Sequence, residues 1–138
     1  FNMETKIFLN LAVKDLNRAI SFFNGLGFPT NPKFTNEKGA CIVIGENINV
    51  MILVEEFYQT FTKKQICNTA TTSEVLTALS VATREQVDEM MEKAVKGGGT
   101  DYEQSQDYGW MYQRTFLDPD GHHWEVFCMD ESQIPDQL

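Results

Sequence analysis

An internal echo constrains this chain more than any other feature. The stretch KIFLNLAVKDLNRAISFFNGLGF near the start and SEVLTALSVATREQVDEMMEKAVKGGG past the middle follow one plan. Each passes from an apolar strand ending in valine, through a polar helix start, to an amphipathic helix stopped by glycine. Placing Val13 on Val81 gives a shift of 68 residues, half of the 138. The same shift sets Phe8 on Leu76 and the pair Phe22-Phe23 on Met90-Met91. Self-similarity at half the chain length predicts two like modules.

Local signals support the echo. Asp15 suits an N-cap, because its carboxylate can accept from a free amide of the first helical turn. Leu16, Ala19, Ile20 and Phe23 then recur at helical spacing, and Gly25 or Gly27 supplies the stop. In the second copy Thr83 and Gln86 have capping-box spacing. Val87, Met90, Met91 and Ala94 form the apolar stripe, and Gly97-Gly98-Gly99 ends the helix. These aromatic and methionine side chains read as core.

Strand-like segments follow each helix. They cover 28–35, 40–44 and 49–54 in the first half, and 101–106, 110–117 and 123–129 in the second. Asn36-Glu37-Lys38-Gly39, Gly45-Glu46-Asn47, Asp107-Tyr108-Gly109 and Asp118-Pro119-Asp120-Gly121 are the turns between them. The order is β-α-β-β-β, twice, an α+β chain. The predicted modules span 4–57 and 74–131, joined by a threonine-rich linker over 58–73 with a helical turn at 55–61.

Bulk properties narrow the function. One domain of this length can bury a core without disulfides or a structural metal. A net charge of −9 argues against nucleic acid, which needs a basic face, and suits a cationic small ligand. No apolar run reaches the length of a membrane span. The opening FNMETKIFLN lacks the parts of a signal peptide, and Met3 reads as the natural start. Cys41, Cys67 and Cys128 have no CxxC spacing and read as free thiols in a reducing cytoplasm. There is no phosphate loop, since GGGT follows a helix rather than opening one, and no GxSxG or HExxH motif.

Three pieces together carry a family resemblance: NLAVKDLNRAISFFNGLGF, its echo TALSVATREQVDEMMEKAVKGGG, and the hairpin GWMYQRTFLDPDGHHWEVF. With the duplicated order, the chain resembles the vicinal oxygen chelate superfamily of glyoxalase I, bleomycin-resistance proteins and extradiol dioxygenases. The hairpin is especially similar to bacterial proteins labelled predicted lactoylglutathione lyases. The resemblance implies two βαβββ modules of the glyoxalase/bleomycin-resistance/dioxygenase fold enclosing a small-molecule cavity, and a homodimer. In metal-using relatives it also implies four His or Glu ligands and Lewis-acid chemistry on vicinal oxygens.

Carried onto this chain, the implied ligand positions are Phe8, Met51, Leu76 and Glu125. Only Glu125 can bind a hard divalent cation, so neither the four-ligand site nor a two-histidine-one-carboxylate iron triad is expected. No resident cofactor follows. A divalent metal would require a rebuilt site, with His123 and Glu125 on one strand face and a third donor such as Asn10. Otherwise His122 and His123 cap the DPDG turn, and Glu125 is a lone acid. Gln113 and Arg114 sit on opposite faces of their strand, and one of them is expected to line the cavity with Phe8, Met51 and Leu76. Tyr102 and Tyr108 are candidates for its mouth.

Three functions fit these residues. One is a lyase- or isomerase-like enzyme on a small oxygenated metabolite, with Glu125 as general base. Another is a metal-free protein that binds or sequesters a cationic small molecule or drug. The third is a regulatory module whose old site is sealed by Phe8, Met51 and Leu76.

Overall fold

The computed structural model describes residues 4–137, so the reading of Met3 as the start lies outside the described residues. The chain forms two compact units, one ending at Thr72 and the other beginning at Ser73.

The first unit contains β1 (Ile7–Val13), α1 (Leu16–Gly25), β2 (Thr30–Asn31), β3 (Gly39–Gly45), β4 (Ile48–Val54) and a short α2 (Glu55–Tyr58). Its sheet runs β1-β4-β3-β2, with β1 parallel to β4 and the other pairs antiparallel. The second unit contains β5 (Leu76–Ser80), α3 (Arg84–Lys96), β6 (Thr100–Asp101), β7 (Gln106–Asp107), β8 (Met111–Leu117) and β9 (His123–Met129). Its sheet runs β5-β9-β8-β6, β7 also pairs with β8, and β5 is parallel to β9. The first unit is therefore a βαβββ module, the second repeats that plan with its outer strand broken into β6 and β7, and the chain is α+β.

The helix ends form as their sequences direct. Asp15 accepts from the Arg18 amide at 3.0 Å. Thr83 and Gln86 close a reciprocal capping box at the start of α3. Gly27 and Gly98 follow the two helices with the same φ of +103°, a region that residues with a Cβ rarely enter. Ala19, Phe22 and Phe23 of α1 are buried, while Leu16 and Ile20 are half-buried. In α3, Val87, Met91 and Ala94 are buried, and Met90 is half-buried.

One face of each sheet packs a layer of core residues. In the first, Leu11, Val13, Val50, Ile52, Ala40 and Ile42 are all buried and share a side, as the pairs Leu11–Ile52, Ile52–Ala40 and Val50–Ile42 require. In the second, Trp124, Val126 and Phe116 are buried, and the Trp124 and Phe116 rings stack at 6.3 Å. Each such side chain contributes roughly 1.5–3 kcal/mol by leaving water.

The outer strands differ from expectation. The segment 28–35 shortens to β2, because Pro32 has no N–H for a ladder and opens a 3-10 turn, Pro32–Phe34. The segment 101–106 breaks into β6 and β7, because Glu103 takes a left-handed φ of +66° and turns the chain out of the ladder. The turn at 55–61 forms as α2 followed by a 3-10 turn, Gln59–Phe61.

Candidate functional site

The DPDG turn places the strand that carries the candidate acid. Asp118 Oδ1 accepts from the amides of Asp120 and His122, each at 3.0 Å, and Oδ2 accepts from Trp124 Nε1 at 2.9 Å. Gly121, at φ +84°, completes the reversal. Burial pushes the Asp118 carboxyl above its ordinary range, against the opposing pull of His122 and of these hydrogen bonds. Asp118 thus caps the turn. His122 is buried and donates its backbone amide.

Beyond the turn, β9 alternates. Trp124, Val126 and Cys128 are buried, and His123, Glu125 and Phe127 face the other way, half-buried. His123 Nε2 lies 3.0 Å from Glu125 Oε2, with side-chain exposures of 12% and 21%. Glu125 is therefore not a lone acid. The register sets Leu76 beside His123 and Ala78 beside Glu125 on β5, and Thr115 opposite Glu125 and Gln113 opposite Phe127 on β8. Gln113 shares the Glu125 face.

Arg114 does not. It sits in the alternate set with Tyr112 and Phe116, on the side packed against α3. Its guanidinium bonds Asp88 of α3 at 3.0 Å and Asp101 of β6 at 2.9 Å. Tyr112 donates to the same Asp88 at 2.7 Å. Arg114 therefore pins the helix to the sheet, and of the pair it is Gln113 that shares the Glu125 face, so Arg114 is corrected as a cavity-lining candidate. The Tyr112 hydroxyl and the Arg114 guanidinium hold the Asp88 carboxyl below its ordinary value. A bidentate pair with Arg84 does the same for Asp107.

In the first sheet, Met51 lies opposite Asn10, and Phe8 shares the Asn10 face two residues earlier. This register reproduces that of the second sheet, where Glu125 lies opposite Ala78 and Leu76 stands two residues before it. Met51 is thus the positional equivalent of Glu125. Phe8 is 43% and Leu76 58% exposed, and the Phe8 ring meets Phe34 edge-on at 6.2 Å.

These residues do not fit a four-ligand divalent centre. The His123 and Glu125 donors are bonded to each other, and their neighbours on the face are Leu76, Ala78, Ser80 and Gln113. On the first sheet the matching positions are Phe8, Asn10 and Met51. Among the described residues no group of three or more His, Cys, Asp or Glu side chains is gathered as a metal site.

Charge divides between the units in a way the whole-chain value hides. Residues 1–72 hold seven Lys or Arg and six Asp or Glu, a net of +1. Residues 73–138 hold four and fourteen, a net of −10. Both arginines of the second unit are committed to aspartates.

The structure also brings Tyr102 to this face. Its ring meets that of His123 at 6.0 Å and 82°, edge to face. Tyr108 goes elsewhere and stacks on Trp110 at 6.3 Å. Sequence spacing gave both tyrosines equal standing, because the break in the outer strand that separates them is not a periodic signal.

Two like modules, each a mixed sheet with its first and last strands parallel, define a class of protein before any relative is considered. A profile of the Glyoxalase/Bleomycin resistance protein/Dioxygenase superfamily matches residues 7–126. The chain belongs to that superfamily. A hypothetical protein from S. aureus is similar in structure, with 28% identity, a TM-score of 0.78, and coverage of 92% of this chain and 95% of that one. A glyoxalase/bleomycin resistance protein/dioxygenase family enzyme from Burkholderia phytofirmans PsJN has 17% identity and a TM-score of 0.74, covering 89% and 97%. The bleomycin resistance determinant encoded on transposon Tn5 has 12% identity and a TM-score of 0.60, covering 92% and 99%. The last two share the fold alone. No curated protein sequence matches the chain. Among the described residues no helix is long and apolar enough to cross a membrane.

Proposed function

We propose that this protein is a metal-independent binding member of the superfamily, taking a positively charged small molecule on the Glu125 face of its second sheet. The observation that carries the reading is the substitution pattern. Three of the four positions that would hold metal ligands are Phe8, Met51 and Leu76, while Glu125 keeps its carboxylate, bonded on one oxygen by His123. The net charge of −10 on residues 73–138 favours approach of a cation to that unit. Fluorescence or calorimetric titration with a panel of protonated aromatic amines, at low and high salt and with chelator present, tests this. Saturable binding that weakens with salt and drops about tenfold or more in Glu125→Gln is expected, the scale of losing a charge-assisted contact. Binding that ignores Glu125→Gln, or that needs added metal, refutes the reading.

A second reading is favoured by the His123–Glu125 hydrogen bond. A carboxylate oriented by an imidazole suits a general base that removes a proton beside a carbonyl. This is where a lactoylglutathione-lyase-like activity belongs. Deuterium exchange into the hemithioacetal of methylglyoxal and glutathione reads it directly. Exchange that vanishes in Glu125→Gln supports it, and exchange at the solvent rate with wild-type protein removes it.

A further inference from the structure

We propose that Tyr102 forms the specificity-determining wall of the Glu125 site and selects a planar cation over a compact alkylammonium of equal charge. This rests on the binding function proposed above and names the ligand class. The sheet register supplies the first support. Glu125 pairs with Ala78 on one side and Thr115 on the other, and the Tyr102 amide donates to the Thr115 carbonyl at 3.0 Å. Tyr102 thus extends the same rung of the ladder, and residues opposite one another across strands share a face.

The Tyr102 ring is not there to fill a core. It is 41% exposed, and among the described residues its hydroxyl makes no hydrogen bond. It stands edge to face with His123, whose Nε2 bonds one oxygen of Glu125 at 3.0 Å. An aromatic ring, an imidazole and a carboxylate are therefore contiguous.

The backbone beside it is strained. Glu103 has a φ of +66°, the one non-glycine residue with positive φ among the described residues. Side-chain-bearing residues enter that region at a cost, and such outliers gather at ligand clamps. Here the turn ends the pairing of the outer strand directly after the Tyr102 amide has bonded to Thr115.

The chemistry follows from the ring. A tyrosine face attracts cations through its quadrupole, and a flat cation offers more contact than a tetrahedral one. A planar amidinium lying on Tyr102 can direct an N–H to the Glu125 oxygen that His123 does not use. Gln113, half-buried on the same face and without a side-chain hydrogen bond among the described residues, offers its amide oxygen as a further acceptor.

The test is calorimetry with benzamidinium and cyclohexylammonium against wild-type protein, Tyr102→Phe, Tyr102→Leu and Glu125→Gln. Benzamidinium binds wild-type protein more tightly than cyclohexylammonium does. Tyr102→Phe keeps that preference. Tyr102→Leu weakens benzamidinium about fivefold, in the range of a cation–π contact, and changes cyclohexylammonium by less than about twofold. An unchanged urea midpoint for Tyr102→Leu verifies the fold. If Tyr102→Leu binds benzamidinium like wild type while Glu125→Gln does not, the tyrosine wall is wrong and the binding function stands. If Tyr102→Phe fails as Tyr102→Leu does, the hydroxyl and not the ring face is used, and the proposal is overturned. If neither cation binds wild-type protein, both the wall and the cationic reading fall.

Discussion

In the first sheet Met51 lies opposite Asn10, and in the second Glu125 lies opposite Ala78. The strand order, the parallel pair and the place of the helix are the same around both positions. The side that packs on the helix carries an apolar core in each. The other side has diverged, to Phe8, Asn10 and Met51 in one sheet and to Leu76, His123 and Glu125 in the other. The excess negative charge has gathered in the second unit as well. The contrast shows which constraint acts where. A module must bury apolar surface between sheet and helix to fold, so that face keeps its apolar core in both copies. The opposite face presents Phe8, Asn10 and Met51 in one module and Leu76, His123 and Glu125 in the other. In this protein that face carries no acid at Phe8, Asn10 or Met51 and an acid and an imidazole at Glu125 and His123.

The sharpest way to probe the common core is to truncate its repeat-related positions. Phe23 and Met91 are each 1% exposed. Phe23→Ala is expected to cost about 4 kcal/mol and Met91→Ala about 3 kcal/mol in urea unfolding. A cost below about 1 kcal/mol at either position would break the equivalence of the two helices.

The DPDG turn should separate the modules most clearly. Asp118→Ala leaves the Trp124 indole N–H and two amides without their acceptor. A loss of about 3 kcal/mol is expected, the scale of orphaned buried donors. Cutting Glu46 to alanine in the corresponding exposed turn of the first module should cost less than about 0.5 kcal/mol. Equal costs would show that the turn does not distinguish the modules.

The glycine stops should behave alike. Gly27→Ala and Gly98→Ala each force a Cβ into φ +103° with open or ordinary space around it, so backbone strain sets the cost. About 1 kcal/mol is expected for both. Chemical denaturation of the paired variants compares them.

The smallest effect is electrostatic. Asp88, held low by Tyr112 and Arg114, has a depressed folded-state value relative to the ordinary 3.8. Its contribution is present above that ordinary value and disappears as pH falls through the depressed one. Arg114→Met is expected to cost about 1 kcal/mol or less at pH 7, since the Asp88 side chain is 48% exposed and solvent screens the pair. The difference between variant and wild type should shrink as the pH is lowered below 3.8. A difference that stays constant on acidification would mean that Arg114 acts through packing alone.

The sequence by itself determined the repeat, the two helices with their caps and glycine stops, the central strands, and the separation of His123 and Glu125 from Trp124 and Val126. These are local patterns, written in spacings of two and of three to four residues and in the chemistry of single turns. The family resemblance set Met51 beside Glu125 among the implied positions, and the strand registers make the two equivalent. Only the tertiary structure decided which side of β8 meets the helix, because Gln113 and Arg114 are equally polar. The answer comes from Asp88, 26 residues away in sequence from Arg114. The outer strands were likewise decided by tertiary structure, since short edge pairings depend on a partner strand more than on propensity. The contiguity of Tyr102, His123 and Glu125 was set in the same way. A strand reveals its own alternation, but the neighbour across the ladder is fixed by a register that forms only when distant segments meet.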